Sequence, residues 1–292
     1  FLLALGLAVL GLLVWRIGPG NIYDAASQLG PVTLLIILIP SVLMYAIEAY
    51  GWKIVLGPSG KAVPFWRLLT IRSAGEVVNM TTPTAYLGGE PLKAYLLKKH
   101  DVPIAEGAAS VVIAKTTMTI AEVCFILTGI ALGFLILGAG NSAVQTITAA
   151  LVSVGLLVCS IAGFVFIQRR GLFASILSLV RKLGLRIRVL EAQEEHLRSI
   201  DRMIRNFYDH HQKAFFASVG VCFFGWLAES LEVFGIICFL GGSVSFLAAI
   251  SIGALAAFAV TVQTGNPYVG VLAGGVAGAL LALIHAYLAI DR

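Results

Sequence analysis

The stretch PIAEGAASVVIAKTTMTIAEVCFILTGIALGFLILG, residues 103–138, decides the fold class. It is apolar throughout except for a few polar residues, among them Glu106, Lys115 and Glu122. As one helix with a rise of ~1.5 Å per residue it would be ~54 Å long, well beyond the ~30 Å hydrocarbon core of a bilayer. We therefore predict a membrane helix that tilts, kinks or protrudes, with a change of direction at residues 115–117.

The composition of the whole chain agrees with a membrane protein. Hydrophobic residues make up 59% and charged residues 12%, and the charged share is about half of what a soluble domain carries. The net charge is +5, but the cations are not interleaved with aromatic residues on a polar surface, so we expect no nucleic-acid partner. The four cysteines lie far apart in apolar runs without CxxC spacing, which is typical of buried thiols.

Further apolar runs, separated by turns, extend on both sides of this stretch. They predict an all-α, polytopic transmembrane helical bundle that forms a single domain over residues 1–292. The predicted spans are 1–17, 31–50, 103–138, 142–168, 214–240, 244–262 and 276–290.

One sizeable polar segment, residues 169–213, interrupts the apolar pattern and is predicted to be an amphipathic insert. Its apolar residues repeat at spacings of three, four and seven, which indicates one helical stripe; they are Leu190, Leu197, Ile200, Ile204 and Phe207. We expect this helix to lie on the bundle or on anionic headgroups, with docking of a partner as the alternative.

Two segments resemble helices broken inside the membrane. Residues 65–80 are helical in pattern but short and polar, residues 81–91 contain two prolines and two glycines, and 93–100 resume a helix. A second break covers residues 264–275. Broken segments in both halves predict two re-entrant helix pairs, are compatible with an inverted repeat, and are typical of a transporter site at a repeat interface.

The distribution of cations predicts the orientation. Sixteen of the twenty Lys and Arg residues lie in 53–67, 93–100 and 169–213. These three segments fall on one side of the membrane if residues 65–100 re-enter and leave on the same side. We expect that side to be the cytoplasmic face of the inner membrane.

Ionisable side chains inside predicted spans are functional suspects, because each costs ~2.5–3.5 kcal/mol to insert. Arg72 with Glu76, Glu90 with Lys93, and Lys115 with Glu122 have spacings that place each pair on one helix face. Glu229 and Glu232 share a face without a cation between them, so they would hold a proton or need a cation from another helix. Either these charges only hold helices together, or they form a polar path for a lipid headgroup or a coupled ion.

The break also predicts an anion site. Pro91 suits the first turn of a half-helix, and such an end directs free N–H groups at anions. A phosphate headgroup beside Lys93 and Lys115 is the natural ligand.

The stretches GEVVNMTTPTAYLGGEPLKAYLL (75–97) and AEGAASVVIAKTTM (105–118), preceded by GWKIVL (51–56), resemble the flippase-like transmembrane domain of lysylphosphatidylglycerol synthases. The resemblance implies a stand-alone, multi-pass inner-membrane protein that handles lipids, without the soluble aminoacyl-transferase domain. By this resemblance, the family's proline, Gly-Gly, acidic and basic signature corresponds to Pro83, Gly88, Gly89, Glu90 and Lys93. Lys115 stands where the family usually has a basic residue. In the second break, Thr264 and Ala273 stand where the family has proline and glutamate.

Together these patterns predict a flippase or transporter that moves a polar-headed lipid across the inner membrane, without covalent chemistry, cofactor or metal. The alternatives are a membrane-embedded lipid-modifying enzyme and a lipid-biogenesis scaffold. The expected partners are membrane lipids, either a phospholipid or a polyprenyl or hopanoid-type lipid, and a homo-oligomer stays open. The predicted substrate-binding residues are Arg72, Glu76, Pro83, Gly88, Gly89, Glu90, Lys93, Lys115, Glu122, Glu229, Glu232 and Asn266.

Overall fold

The computed structural model describes residues 15, 18–81, 89–137, 141–182 and 194–264. These residues form eight α-helices and one short 3₁₀ turn, and none of them is in a β-strand. The all-α, membrane-type bundle that the sequence predicts is therefore confirmed. The helices are α1 Pro19–Leu56, α2 Phe65–Thr81, α3 Gly89–Lys98, α4 Ile104–Leu137, α5 Asn141–Lys182, α6 Glu194–His210, α7 Gln212–Phe239 and α8 Phe246–Thr264.

Three stretches among the described residues are long and apolar enough to cross a membrane: Gly30–Leu56, Ile104–Ile136 and Gln212–Phe239. On α1 the apolar side chains of Val32 and Val42 are exposed, as expected for a helix whose outer face meets lipid tails. The chain is thus a multi-pass membrane protein. The predicted span 276–290 lies outside the described residues, as do the predicted span 1–17 except for residue 15 and nearly all of the second break.

Two helices continue beyond their predicted ends across a glycine. Gly30 in α1 has φ 67° and Gly171 in α5 has φ 116°, a left-handed conformation that glycine adopts without steric cost. Pro31 follows the first of these and cannot donate a helical hydrogen bond. The predicted spans 31–50 and 142–168 are therefore parts of α1 and α5.

Helix α4 runs unbroken through residues 115–117, where a change of direction was expected. The hydroxyls of Thr116, Thr117 and Thr119 donate to backbone carbonyls three or four residues earlier, at 2.9–3.0 Å. These bonds satisfy the polar groups within the helix itself, so the threonines do not interrupt the apolar span.

The chain divides into two compact units. Unit 1 comprises Phe1–Leu43, Thr128–Leu137 and Leu227–Arg292, and unit 2 comprises Met44–Leu127 and Gly138–Trp226. Unit 2 has an apolar core that includes Trp52, Leu68, Ile113 and Phe207. The prediction of a single domain over 1–292 stays a prediction.

Candidate functional site

Six ionisable side chains converge inside unit 2, three carboxylates and three cations. They come from α1, α2, α3 and α4, and are Glu48, Arg72, Glu76, Glu90, Lys93 and Lys115. We call this group the charge cluster. The three negative and three positive charges sum to a formal charge of zero. This balance limits the free-energy cost of keeping the cluster away from water.

The innermost ion pair of the charge cluster joins α1 and α2. The Arg72 guanidinium donates to the Glu48 carboxylate, and both side chains are almost fully buried. Arg72 also lies over the Tyr45 ring, with its central carbon 4.7 Å from the ring centroid. The predicted pair of Arg72 with Glu76 stays a prediction, and the contact with Glu48 joins Arg72 to a second helix.

Lys93 holds the middle of the charge cluster. Its amino group lies 2.7 Å from Glu76 Oε1 and 3.2 Å from Glu90 Oε1, so the predicted pairing of Glu90 with Lys93 is confirmed. Lys93 is buried, although the charge count placed it in a basic loop. Removal of its charge would leave two carboxylates in a poorly hydrated site.

The accessible end of the charge cluster is formed by Glu90, whose side chain is 19% exposed; the Lys115 side chain is 29% exposed, but its ammonium nitrogen is itself buried. The Lys115 amino group lies 3.8 Å from Glu90 Oε1, which is an ion pair but too long for a hydrogen bond. The predicted pairing of Lys115 with Glu122 on its own helix stays a prediction.

Two glycines bring α2 and α3 close enough to assemble these charges. A Cβ atom on Gly89 would lie 2.0 Å from the Gly75 carbonyl oxygen, and one on Gly75 would lie 2.3 Å from Lys93 Cε. The Gly89 N–H donates to Asn79 Oδ1 at 2.7 Å, while the Asn79 amide donates to Glu90 at 3.2 Å. The first N–H group of α3 is therefore already bonded, rather than directed at an anion as we expected.

A cleft of about 400 Å³ adjoins Glu90. Its walls are mostly apolar and come from α3, α4, the kinked end of α5, and α6; they include Ala108, Val112, Phe173 and Ile200. The cleft is large enough to admit part of an acyl chain and brings it to the accessible end of the charge cluster.

The remaining predicted site residues are not placed in the charge cluster. Glu122 is buried on α4, two turns beyond Lys115. Glu229 and Glu232 lie in the part of α7 that belongs to unit 1, where Glu232 accepts a hydrogen bond from Ser41. Pro83, Gly88 and Asn266 lie outside the described residues.

Two members of the site were not among the predicted substrate-binding residues, although the sequence carried a signal for each and Glu48 counts among the ionisable functional suspects. Glu48 is an ionisable residue in an otherwise apolar span, and Asn79 continues the one-face spacing of Arg72 and Glu76 along α2. Within the described part of the chain, no group of three or more His, Cys, Asp or Glu side chains could hold a metal ion.

Comparison with known proteins identifies the family of the chain. A family model described as the lysylphosphatidylglycerol synthase transmembrane region matches residues 2–290. The chain belongs to that family. The match to the lysylphosphatidylglycerol synthase transmembrane family covers nearly the whole chain, so the resemblance seen at residues 51–118 is confirmed.

A more specific relative shares part of the sequence. The chain is 32% identical over 113 residues to a protein named UPF0104 membrane protein from Methanothermobacter thermautotrophicus. The match covers 39% of this chain and 33% of that protein, so it spans about a third of the relative's length. No solved structure matches the chain.

Proposed function

We propose that this chain is a lipid flippase or transporter, and that the charge cluster binds the polar headgroup as the lipid crosses the inner membrane. The observation that carries the proposal is the convergence of six ionisable side chains from four helices of unit 2, open at Glu90 to an apolar cleft. A polar headgroup with an acyl chain has the same division into charged and apolar parts. Membership in a family of lipid-synthase membrane regions supports it.

The long contact between Lys115 and Glu90 supports a phosphate as the group that is bound. A headgroup phosphate can take the Lys115 ammonium from Glu90, because Lys93 still holds Glu90 at 3.2 Å after the exchange. No carboxylate is then left buried without a cation. A phosphate also accepts charge-assisted hydrogen bonds, which are stronger than a loose ion pair.

The orientation follows from the same proposal. We infer that segments 53–67, 93–100 and 169–213 face the cytoplasm. Lys98 and Lys99 are exposed at the end of α3, and Lys61 and Arg67 are exposed before and within α2. These residues supply the positive charge that retains a loop on that side.

A translocation assay in liposomes tests the proposal. Purified protein is reconstituted with acyl-labelled fluorescent phospholipids, and dithionite bleaches only the outer leaflet. We expect protein-dependent translocation in the wild type. We expect Lys115→Gln to slow it at least about tenfold, the equivalent of one charge-assisted hydrogen bond, while Lys99→Gln, an exposed control on the turn after α3, behaves as wild type.

The outcomes separate the alternatives. A wild-type rate equal to that of protein-free liposomes would refute transport. Equal rates for Lys115→Gln and the wild type would remove the charge cluster from the mechanism. A chemically altered lipid in the extract would support the lipid-modifying enzyme instead.

A further inference from the structure

The segment that follows the apolar part of α5 folds back as an antiparallel pair with α6. The Tyr208 hydroxyl donates to Gln168 at 2.6 Å, and the Asp201 carboxylate accepts the N–H groups of Phe173 and Ala174 at 3.0 and 2.8 Å. Asp201 thus caps the helix that restarts after Gly171. We call residues 169–182 together with α6 the basic arm.

The two faces of α6 have opposite chemistry. Ile204 and Phe207 are buried in the apolar core of unit 2. Arg198, Arg202 and Arg205 lie on successive turns of the opposite, exposed face. The apolar face is therefore occupied by the protein itself, and the cationic face is left for a partner.

Positive charge is concentrated on this part of the chain. Residues 169–213 contain ten Lys and Arg against five Asp and Glu, which equals the formal net charge of +5 of the entire protein. Some of the cations are neutralised within the arm, such as Arg169 by Asp209 at 3.1 Å. Arg170, Arg202 and Arg205 have no described carboxylate within ion-pair distance; Arg205 donates instead to the Arg170 carbonyl at 3.1 Å.

The position of the basic arm along the chain places these cations at the edge of the bilayer. It starts where the apolar run of α5 ends, and α7, a membrane-spanning helix, begins at Gln212 directly after α6. The Arg170 guanidinium lies over the exposed Phe166 ring, 4.2 Å from its centroid. An aromatic ring covered by a cation at the end of a span is typical of the headgroup region.

We propose that the exposed cationic face of the basic arm binds the anionic headgroups of the adjacent leaflet, at a surface separate from the charge cluster. The charge of the face is complementary to anionic lipid, and its place directly before the membrane-spanning helix α7 brings it to lipid rather than to a soluble acidic partner. Each Lys or Arg near an anionic membrane surface strengthens such binding about fivefold. The interaction is electrostatic and weakens as salt screens it.

Retention of lipid by the purified full-length chain tests this surface. The protein is equilibrated in mixed micelles of dioleoylphosphatidylglycerol and dioleoylphosphatidylcholine, and the bound lipids are quantified by mass spectrometry. We expect the wild type to enrich phosphatidylglycerol over the bulk ratio, with the enrichment lost in 1 M NaCl. The triple variant Arg170→Gln, Arg202→Gln, Arg205→Gln should reduce the enrichment at least about fivefold.

Two controls define the result. The control variant Lys61→Gln, Arg67→Gln, Lys98→Gln removes the same number of exposed cations outside the arm and should lower the enrichment less than the arm variant does. The triple arm variant should keep the wild-type translocation rate in liposomes, which separates this surface from the transport site. If circular dichroism shows that the triple arm variant is unfolded, the single charge reversal Arg202→Glu is used instead, and we expect it to lower the enrichment.

Four results would count against the proposal. The first is a wild type that binds the two lipids in the bulk ratio. The second is an arm variant with wild-type enrichment. The third is an equal loss in the arm variant and in the matched control, since binding would then depend on total charge and not on this surface. Capture of a soluble acidic protein that displaces the phosphatidylglycerol would also count against it.

Discussion

The close approach of α2 and α3 gives the sharpest prediction about how the site is assembled. In Gly89→Ala the new methyl group would lie 2.0 Å from the Gly75 carbonyl oxygen. Close carbon–oxygen contacts in proteins are about 3.3 Å, so the two helices must separate by roughly 1.3 Å. The obstacle is backbone, so no side-chain rotation can relieve it.

This separation would act on the contacts that hold α3 to α2. The hydrogen bond from the Gly89 N–H to Asn79 and the ion pair between Lys93 and Glu76 are both 2.7 Å long. A helix separation of roughly 1.3 Å would take both beyond hydrogen-bond length. Overpacking costs about 1–3 kcal/mol and a broken buried hydrogen bond about 1–3 kcal/mol. We therefore expect Gly89→Ala to lower the free energy of unfolding by about 2–6 kcal/mol.

The assay is thermal unfolding of the purified protein in detergent, followed by tryptophan fluorescence and size-exclusion chromatography. Gly163→Ala is the matched control, because a Cβ atom there would meet nothing within 4 Å. Since Gly163 lies within α5, its replacement should be neutral or stabilise by up to about 1 kcal/mol. If Gly89→Ala unfolds at the wild-type temperature, the helix approach described for the site is wrong.

Two further predictions concern buried polar groups. Lys93→Met should cost about 3–5 kcal/mol, because it strands buried carboxylates, and adding Glu76→Gln should recover much of the loss; strictly additive thermal shifts would contradict the ion pair. Burial raises the pKa of Tyr208 to about 12, so the stability it contributes is complete below its unfolded pKa of about 10 and declines as pH rises toward the folded value. Tyr208→Phe should remove that alkaline decline while costing about 1 kcal/mol at neutral pH for the lost bond to Gln168; equal pH profiles from pH 10 to 12 would show that this tyrosine is not buried.

Sequence reasoning located the fold class and much of the charge cluster because both depend on local patterns. Apolar runs of span length identify membrane helices without reference to their neighbours. The spacing of Glu90 and Lys93 indicated their pairing, because residues three apart on a helix are adjacent. The end of α2 at Thr81 and the start of α3 at Gly89 agree with the predicted break at residues 81–91.

The partners of Arg72 and Lys115 could not be found in this way. Spacing suggested a carboxylate on the same helix for each, but it gave no signal for the contacts of Arg72 with Glu48 of α1 and of Lys115 with Glu90 of α3. Such contacts depend on how helices distant in sequence pack against each other. The change of helix direction at Gly171 was missed for a related reason. The helical segment that restarts after Gly171 is capped by Asp201, which comes from α6.

Photocrosslinking tests the central claim most directly, that the charge cluster and its cleft receive a lipid headgroup. A phospholipid with a photoreactive headgroup is incorporated into proteoliposomes, and the adducts are mapped by peptide mass spectrometry. The account predicts adducts within α3 and the first half of α4, around Glu90 and Lys115, and fewer of them in Lys115→Gln. Adducts confined to the exposed outer face of α1, unchanged by that substitution, would contradict it.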